Sequence, residues 1–234
     1  LMPFWTCEQC GAQFPDSVAP PASCPICEDE RQFVNWKGQT WLSRERLAAT
    51  HRLAWRDDFG LTGFAVEPAL AIGQRALLVP DTDGCVLWDC VPLLTAEAVA
   101  HVRSLGGLKA IAVSHPHFYG AVADWSDAFG GVPVYLHGDD RQWVTRPHPA
   151  IVAWSGERQR ISDDIVLVRA GGHFAGGTIL HSSDYTDASL AKGRDVVVLG
   201  FSKSATDIAV NAVQSGARSV TIVYRESVWR VPYF

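Results

Sequence analysis

The sequence has no apolar run approaching the roughly 20 residues that a membrane helix needs. It also has no basic stripe: 20 Lys and Arg stand against 25 Asp and Glu, a net charge of −5 that argues against a nucleic-acid partner. No basic-then-apolar leader opens it, so the expectation is a cytoplasmic protein with neither membrane nor nucleic acid among its partners. A disulfide framework is excluded by a different shortage. Six cysteines in 234 residues are too few and the chain too long for a small secreted scaffold, and four of the six fall in two C-x-x-C pairs. Metal is the better account of those four. Cys85 and Cys90, in an apolar stretch, read as buried thiols.

What is present suits a soluble globular chain. Apolar residues at 47% supply a buried core, and the length allows one large domain or two modest ones. In the N-terminal stretch, Cys7, Cys10, Cys24 and Cys27 make two knuckles, with 13 residues between Cys10 and Cys24 to bring the second beside the first. Gly11 follows the first knuckle and Pro25 sits inside the second, which suits tight turns. Large apolar residues are too few here for a separate core, so metal must supply much of the folding free energy. Four thiolates leave no open position on zinc, which makes the site structural rather than catalytic. A rubredoxin-type iron site and two unlinked redox pairs are the alternatives.

From Trp36 to about Arg56 the pattern is helix-like, with Ser43 as a cap and Leu42, Leu47 and Leu53 on an apolar side. Strand signals follow at 63–67, 75–79, 85–89, 109–113, 132–136 and 165–168, with a helix from Thr95 to Leu105 closed by Gly106 and Gly107. The strand at 109–113 runs into Ser114-His115-Pro116-His117, the one at 132–136 ends at His137, and the last leads into Gly171-Gly172-His173-Phe174.

That order of strand, H-x-H, strand and G-G-H-F resembles the metallo-β-lactamase superfamily of metal-dependent hydrolases over about residues 63–182. In an extended segment, residues i and i+2 share a side, so His115 and His117 can hold one ion, with His173 completing a three-histidine set. Zinc on three histidines keeps a position for water and lowers its pKa toward about 7. The superfamily's H-x-H-x-D-H places an Asp and a further His where this chain has Tyr119 and Gly120, which puts a second metal in doubt. The alternative for the pair is a relic on a fold that no longer binds metal. His137, after a strand, reads as a polar group near the site or, more ordinarily, as a solvated loop residue.

From about His181 the chain resembles flavin-containing monooxygenases, on His181-Ser-Ser-Asp-Tyr185, 192–200, the run Ser204-Ala-Thr-Asp-Ile-Ala209, Val223-Tyr-Arg225 and Trp229-Arg-Val-Pro232. The resemblance implies the start of an NADPH-binding βαβ unit: a strand at 195–199, a tight turn at 200–205, a helix at 205–215 and a strand at 220–224. Gly200, Ser202 and Ala205, with Lys203 and Ser204 between, stand where dinucleotide-binding glycines would let backbone N–H groups approach a pyrophosphate. Arg225 suits the 2′-phosphate of NADP. The family's flavin-binding glycine motif is missing, so FAD is not expected. Asp184, Asp187 and Asp195 lie in this segment and take no role from the hydrolase resemblance.

The expected fold class is mixed α/β (α+β): an incomplete metallo-β-lactamase-like αββα sandwich with a small N-terminal zinc ribbon and a C-terminal Rossmann-like βαβ unit. The domains are 1–36, 37–182 and 183–234, joined near Gly177–His181, a stretch that satisfies both families. The chain reads as composite, whether by recombination, artefact or deliberate fusion, or else as a natural architecture that merely looks so. Replacing half a sandwich with one βαβ unit predicts unpaired sheet edges, reduced stability and low activity. The functional expectation is a metal-dependent hydrolase acting on an unidentified small molecule. An NADP-binding monooxygenase fragment stands second, and a non-catalytic zinc-ribbon interaction protein third. Neither catalytic residues nor oligomeric state can be read from the sequence.

Overall fold

The computed structural model describes residues 4–29, 38–58, 60–169, 185–199 and 203–223. The chain divides into two compact units, Leu1–Arg169 and Ala170–Phe234. It is a mixed α/β protein with several sheets and few helices.

The first unit opens with the ribbon. Strand β1 (Trp5–Cys7) pairs antiparallel with β2 (Gln13–Phe14) on one side and with β3 (Trp41–Ser43) on the other. Between β2 and β3 lies α1 (Pro25–Glu28), a single turn that starts on proline, where the missing N–H costs nothing. Phe14 and Trp41 meet edge to face at 5.1 Å across this small sheet.

Strand β3 runs directly into α2 (Arg44–Thr50), and the Ser43 hydroxyl accepts from the Arg46 N–H as a cap. The helix expected as far as Arg56 is confined to these seven residues. Leu42 lies in β3 and Leu53 in β4 (Arg52–Asp58), so of the three leucines only Leu47 is on the helix. The reason is long-range pairing. All seven residues of β4 find antiparallel partners on β5 (Leu61–Glu67), and that ladder outweighs a weak local preference.

The sheet continues antiparallel through β6 (Arg75–Asp81) to β7 (Gly84–Trp88). Next come α3 (Ala96–Ser104) and the parallel strand β8 (Leu108–Ala112), then α4 (Val122–Ala128), β9 (Val134–His137) and β10 (Ile151–Trp154). The order across the sheet is β10-β9-β8-β7-β6-β5-β4. Helical crossovers α3 and α4 supply the length that parallel neighbours require. Gly106 and Gly107, at φ +97° and +85°, turn the chain out of α3, and the Gly107 N–H returns to the Val102 carbonyl at 2.9 Å. Each strand expected from the sequence in this unit overlaps an observed one, its ends moved by one or two residues.

Alternation sorts the core into two faces. Cys85 and Leu87 join Phe64, Leu78, Val102 and Trp125 on the helix side, whereas Val86 faces Ala110, Ala112, Trp154 and Leu167. A bulge opposite Cys85 and Val86 skips Lys109, which lets Leu108 share the face of Cys85 while Ala110 shares that of Val86. Leu167 comes from the hairpin of β11 (Arg158–Arg160) and β12 (Val166–Val168). Among the described residues, this hairpin is what covers the second face. Cys85 and Cys90 are buried free thiols, as expected, and burial pushes Cys85 up to about 11.

In the second unit, β13 (Asp195–Leu199), α5 (Lys203–Gln214) and β14 (Ser219–Val223) form a parallel βαβ arrangement. Val198, Ala209, Val196, Ile208 and Val220 pack together inside it. Asp195 is gripped by Arg218 through both guanidinium arms and accepts from the Ser219 hydroxyl at 2.8 Å. Asp187 caps a short 3-10 turn by accepting from the Ser189 N–H at 2.9 Å. The expected junction at 177–181, together with Asp184, lies outside the described residues. Among the described residues, no helix is long and apolar enough to cross a membrane.

Candidate functional site

The four ribbon cysteines converge. Cys7 ends β1, Cys10 follows in a turn held by Gly11 N–H to Cys7 O at 2.8 Å, Cys24 precedes α1 and Cys27 lies within it. All four are buried, and their sulfurs lie within 4.8 Å of one another. Cys7 and Cys27 are 3.7 Å apart, Cys10 and Cys24 3.5 Å. A tetrahedral zinc with Zn–S bonds of about 2.3 Å has S···S edges of about 3.8 Å, so the cage already has the dimensions of an ion-bound set. Hydrogen bonding from Cys10, then Cys24 and Cys27, holds Cys7 below the ordinary thiol range; bonding to Cys24, then Cys27 and Cys7, pushes Cys10 above it. A divalent cation would replace those shared protons. The residues fit a metal ion.

Gln39 braces the second knuckle, its Oε1 accepting from the Cys24 N–H at 2.9 Å. Three ties dock the ribbon on the large sheet's unit. Gln13 Nε2 donates to Pro92 O at 3.2 Å, Arg146 donates to Gln13 Oε1 at 3.0 Å, and Thr145 donates to Gln13 O at 2.6 Å. The fourth contact is the least expected. Gln74 Nε2 donates to Cys10 O at 2.7 Å and to His117 O at 3.1 Å.

His115 and His117 stand at the start of a 3-10 turn that follows β8, with ring centroids 4.8 Å apart. His115 Nδ1 accepts from the His117 backbone N–H at 3.2 Å. Metal at the other ring nitrogen requires Nδ1 to take the proton and give up that bond. His173 lies outside the described residues, as do Gly200, Ser202 and Arg225. Lys203, Ser204 and Ala205 form the first turn of α5. Tyr119 is buried, its hydroxyl donating to Asp140 O at 3.4 Å. A side chain at Gly120 would meet the Pro92 backbone at 3.2 Å, so a histidine there would require that backbone to give by a few tenths of an ångström. His137 is not a solvated loop residue: it stacks edge-on against Trp154 at 4.6 Å and accepts from the Asp139 N–H at 3.3 Å.

The sequence reading missed Asp89. This buried carboxylate directly follows β7 at φ +61° and accepts from both the Ser114 N–H and hydroxyl at 2.8 Å, which fixes the residue before His115. Burial pushes it up to about 6, with the Ser114 bonds acting against the rise. An acid at the end of the strand at 85–89 was the available signal. Asp89 also lines a cleft of about 390 Å³ with Gln74, Leu77, Trp88 and Phe118, and Phe118 meets the His115 ring edge-on at 6.3 Å.

The uncharacterized protein YmaE of Bacillus subtilis (strain 168) is 43% identical over 185 residues, which is 78% of this chain and 67% of YmaE. The chain belongs to the YmaE family. The Flavin-binding monooxygenase-like family model matches residues 170–232 of this chain. Within that class, the trimethylamine monooxygenase of Pelagibacter ubique (strain HTCC1002) is 51% identical over 51 residues, 22% of this chain. The chain spans only 12% of that enzyme's length. The crystal structure of DIM-1 metallo-beta-lactamase exposed to ceftazidime is 14% identical and covers 48% of this chain and 55% of its own, with a TM-score of 0.36. At that score the likeness carries no weight for fold or activity.

Proposed function

We propose that this YmaE-family chain is a metal-dependent hydrolase-like protein of the metallo-β-lactamase fold, with low turnover, folded in part around zinc on Cys7, Cys10, Cys24 and Cys27. What supports the reading is one juxtaposition: His115 and His117 share a turn beside a cleft of about 390 Å³ lined by Asp89 and Phe118. His173 completes the ligand set in this reading. Zinc bound there supplies a nucleophile from water at neutral pH and polarises a carbonyl. Asp89 holds Ser114 and, through it, the start of the histidine turn. Leu77, Trp88 and Phe118 offer an apolar wall that excludes water from an ester-, amide- or thioester-like substrate. Arg75, on the same cleft, is engaged by Asp58 at 2.8 Å. Tyr119 and Gly120 deny the turn a second ion, which favours low turnover. A thiolate cage suits a reducing compartment, hence the cytoplasm.

Metal analysis of purified protein tests this. Two zinc ions per wild-type chain are expected, with one lost in Cys7→Ser/Cys24→Ser and the other in His115→Ala/His117→Ala. A single zinc indifferent to the histidine pair would remove the hydrolase reading.

A second reading rests on the parallel βαβ unit in the monooxygenase-like region: an NADP-binding segment using Gly200, Ser202, Lys203, Ser204, Ala205 and Arg225. It predicts that NADPH quenches tryptophan fluorescence, with affinity lowered in Arg225→Ala and no flavin colour. Zinc in the ribbon alone, with no NADPH response, would leave a non-catalytic interaction module.

A further inference from the structure

The geometry points to Gln74 as a positioning residue through which the metal state of the four-cysteine ribbon sets the pose of the His115–His117 turn. The inference rests on the reading above that the ribbon is loaded with metal.

Gln74 precedes β6 and is 4% exposed. Its amide nitrogen carries two hydrogens, and both are spent on carbonyls that belong to candidate ligand residues: Cys10 O at 2.7 Å and His117 O at 3.1 Å. Both partners are acceptors, so the nitrogen must face them whichever way the amide is drawn. Gln74 Oε1 is buried and finds no hydrogen-bond partner among the described residues. The desolvated amide is therefore offset by those two bonds alone, and losing one leaves an expensive orphan. The approach is possible because residue 11 is glycine: a Cβ there would stand 2.5 Å from Gln74 Nε2.

The position of the Cys10 carbonyl is set by the first knuckle, closed by Gly11 N–H to Cys7 O at 2.8 Å and Cys7 N–H to Ala12 O at 2.9 Å. A knuckle without its ion loses the constraint that draws four sulfurs together. When the Cys10 carbonyl shifts, Gln74 must follow it or release it, and either event reaches His117. Gln13 provides the internal control. It also ties the ribbon to the rest of the first unit, through Pro92 and Arg146, and makes no hydrogen bond to the histidine turn.

Hydrogen–deuterium exchange of the full chain tests the link, comparing protein with one equivalent of zinc and protein stripped by chelator. In the wild type, stripping should speed exchange across 114–120 by about fivefold, the factor one net hydrogen bond of about 1 kcal/mol supplies, while α3 stays protected. Gln74→Met keeps the volume and removes both donors; its 114–120 segment should exchange fast when loaded and respond no further to stripping. Gln74→Ala should do the same, and Gln13→Ala should keep the wild-type response. An unchanged response in Gln74→Met, a lost response in Gln13→Ala, or equal exposure of α3 on stripping would each overturn the link. Zinc content separates it from the hydrolase reading. One zinc per chain with the response intact removes only the hydrolase, two with no response removes only the link, and none removes both.

Discussion

Gly11→Ala is the most economical perturbation of the ribbon's seat, and its cost can be assembled from two separate terms. Residue 11 sits at φ +78°, where an L side chain costs about 1–2 kcal/mol. The new Cβ would lie 2.5 Å from Gln74 Nε2. That atom ends a flexible side chain, so steric relief alone is cheap. Moving it, however, breaks the bonds to Cys10 O and His117 O, worth about 1 kcal/mol each net. The expected destabilisation is about 3–4 kcal/mol, read as a fall in urea midpoint with unchanged slope in zinc-loaded protein. In a Gln74→Ala background the clash and both bonds are already gone. Gly11→Ala should then cost only about 1–2 kcal/mol, which leaves an interaction energy of about 2 kcal/mol in the double-mutant cycle. Additivity within about 0.5 kcal/mol would refute the proposed contact, because independent sites behave that way.

Asp89 makes stability depend on pH in a definite direction. Its folded value, raised from 3.8 to about 6, means the native state holds more protons than the unfolded chain between those values. Stability should therefore fall as pH rises from about 4 to about 6, by an amount on the order of 3 kcal/mol. Asp89→Asn should abolish that slope, gaining on wild type above pH 6 and matching it near pH 4 in denaturant melts; an unchanged slope counts against it. Arg146 lies 3.9 Å over Phe4 and reaches Gln13 and Asp124 at 3.0 Å each. Arg146→Ala should cost about 2–4 kcal/mol, and Arg146→Lys should recover less than half, because one ammonium cannot make all three contacts. Chelation should lower the thermal midpoint of wild type by more than that of Cys7→Ser/Cys24→Ser, which is already without ribbon metal; equal shifts in differential scanning calorimetry count against metal in the ribbon.

How much of this was legible in the sequence depended on where the partners lay. The four-cysteine cluster was legible because two C-x-x-C pairs carry their geometry locally, and only the intervening chain had to bring them together. The strands from β5 to β9 were legible from apolar runs bounded by turn residues. Residues 36–56 were not, because β4 is a strand only in the presence of β5: Trp55 pairs with Phe64 and Leu53 with Val66 across a gap that local propensity does not see. The histidine pair was visible as H-x-H, yet its setting was hidden. Asp89 lies 25 residues before Ser114, and only the parallel register of β7 on β8 brings the two together.

Gln74 was the least legible residue, and the reason is chemical. Its partners are backbone carbonyls, which every residue possesses, so neither Cys10 nor His117 announces in its side chain that an amide is waiting for it. The one local trace is Gly11, which normally reads as a turn former. Its positive φ does satisfy the knuckle, but the missing Cβ also clears the space that Gln74 occupies. A single glycine thus meets two demands, one within the ribbon and one from a residue 63 positions away. The two demands separate in the cycle above: the conformational one persists when Gln74 is removed, and the steric one vanishes with it.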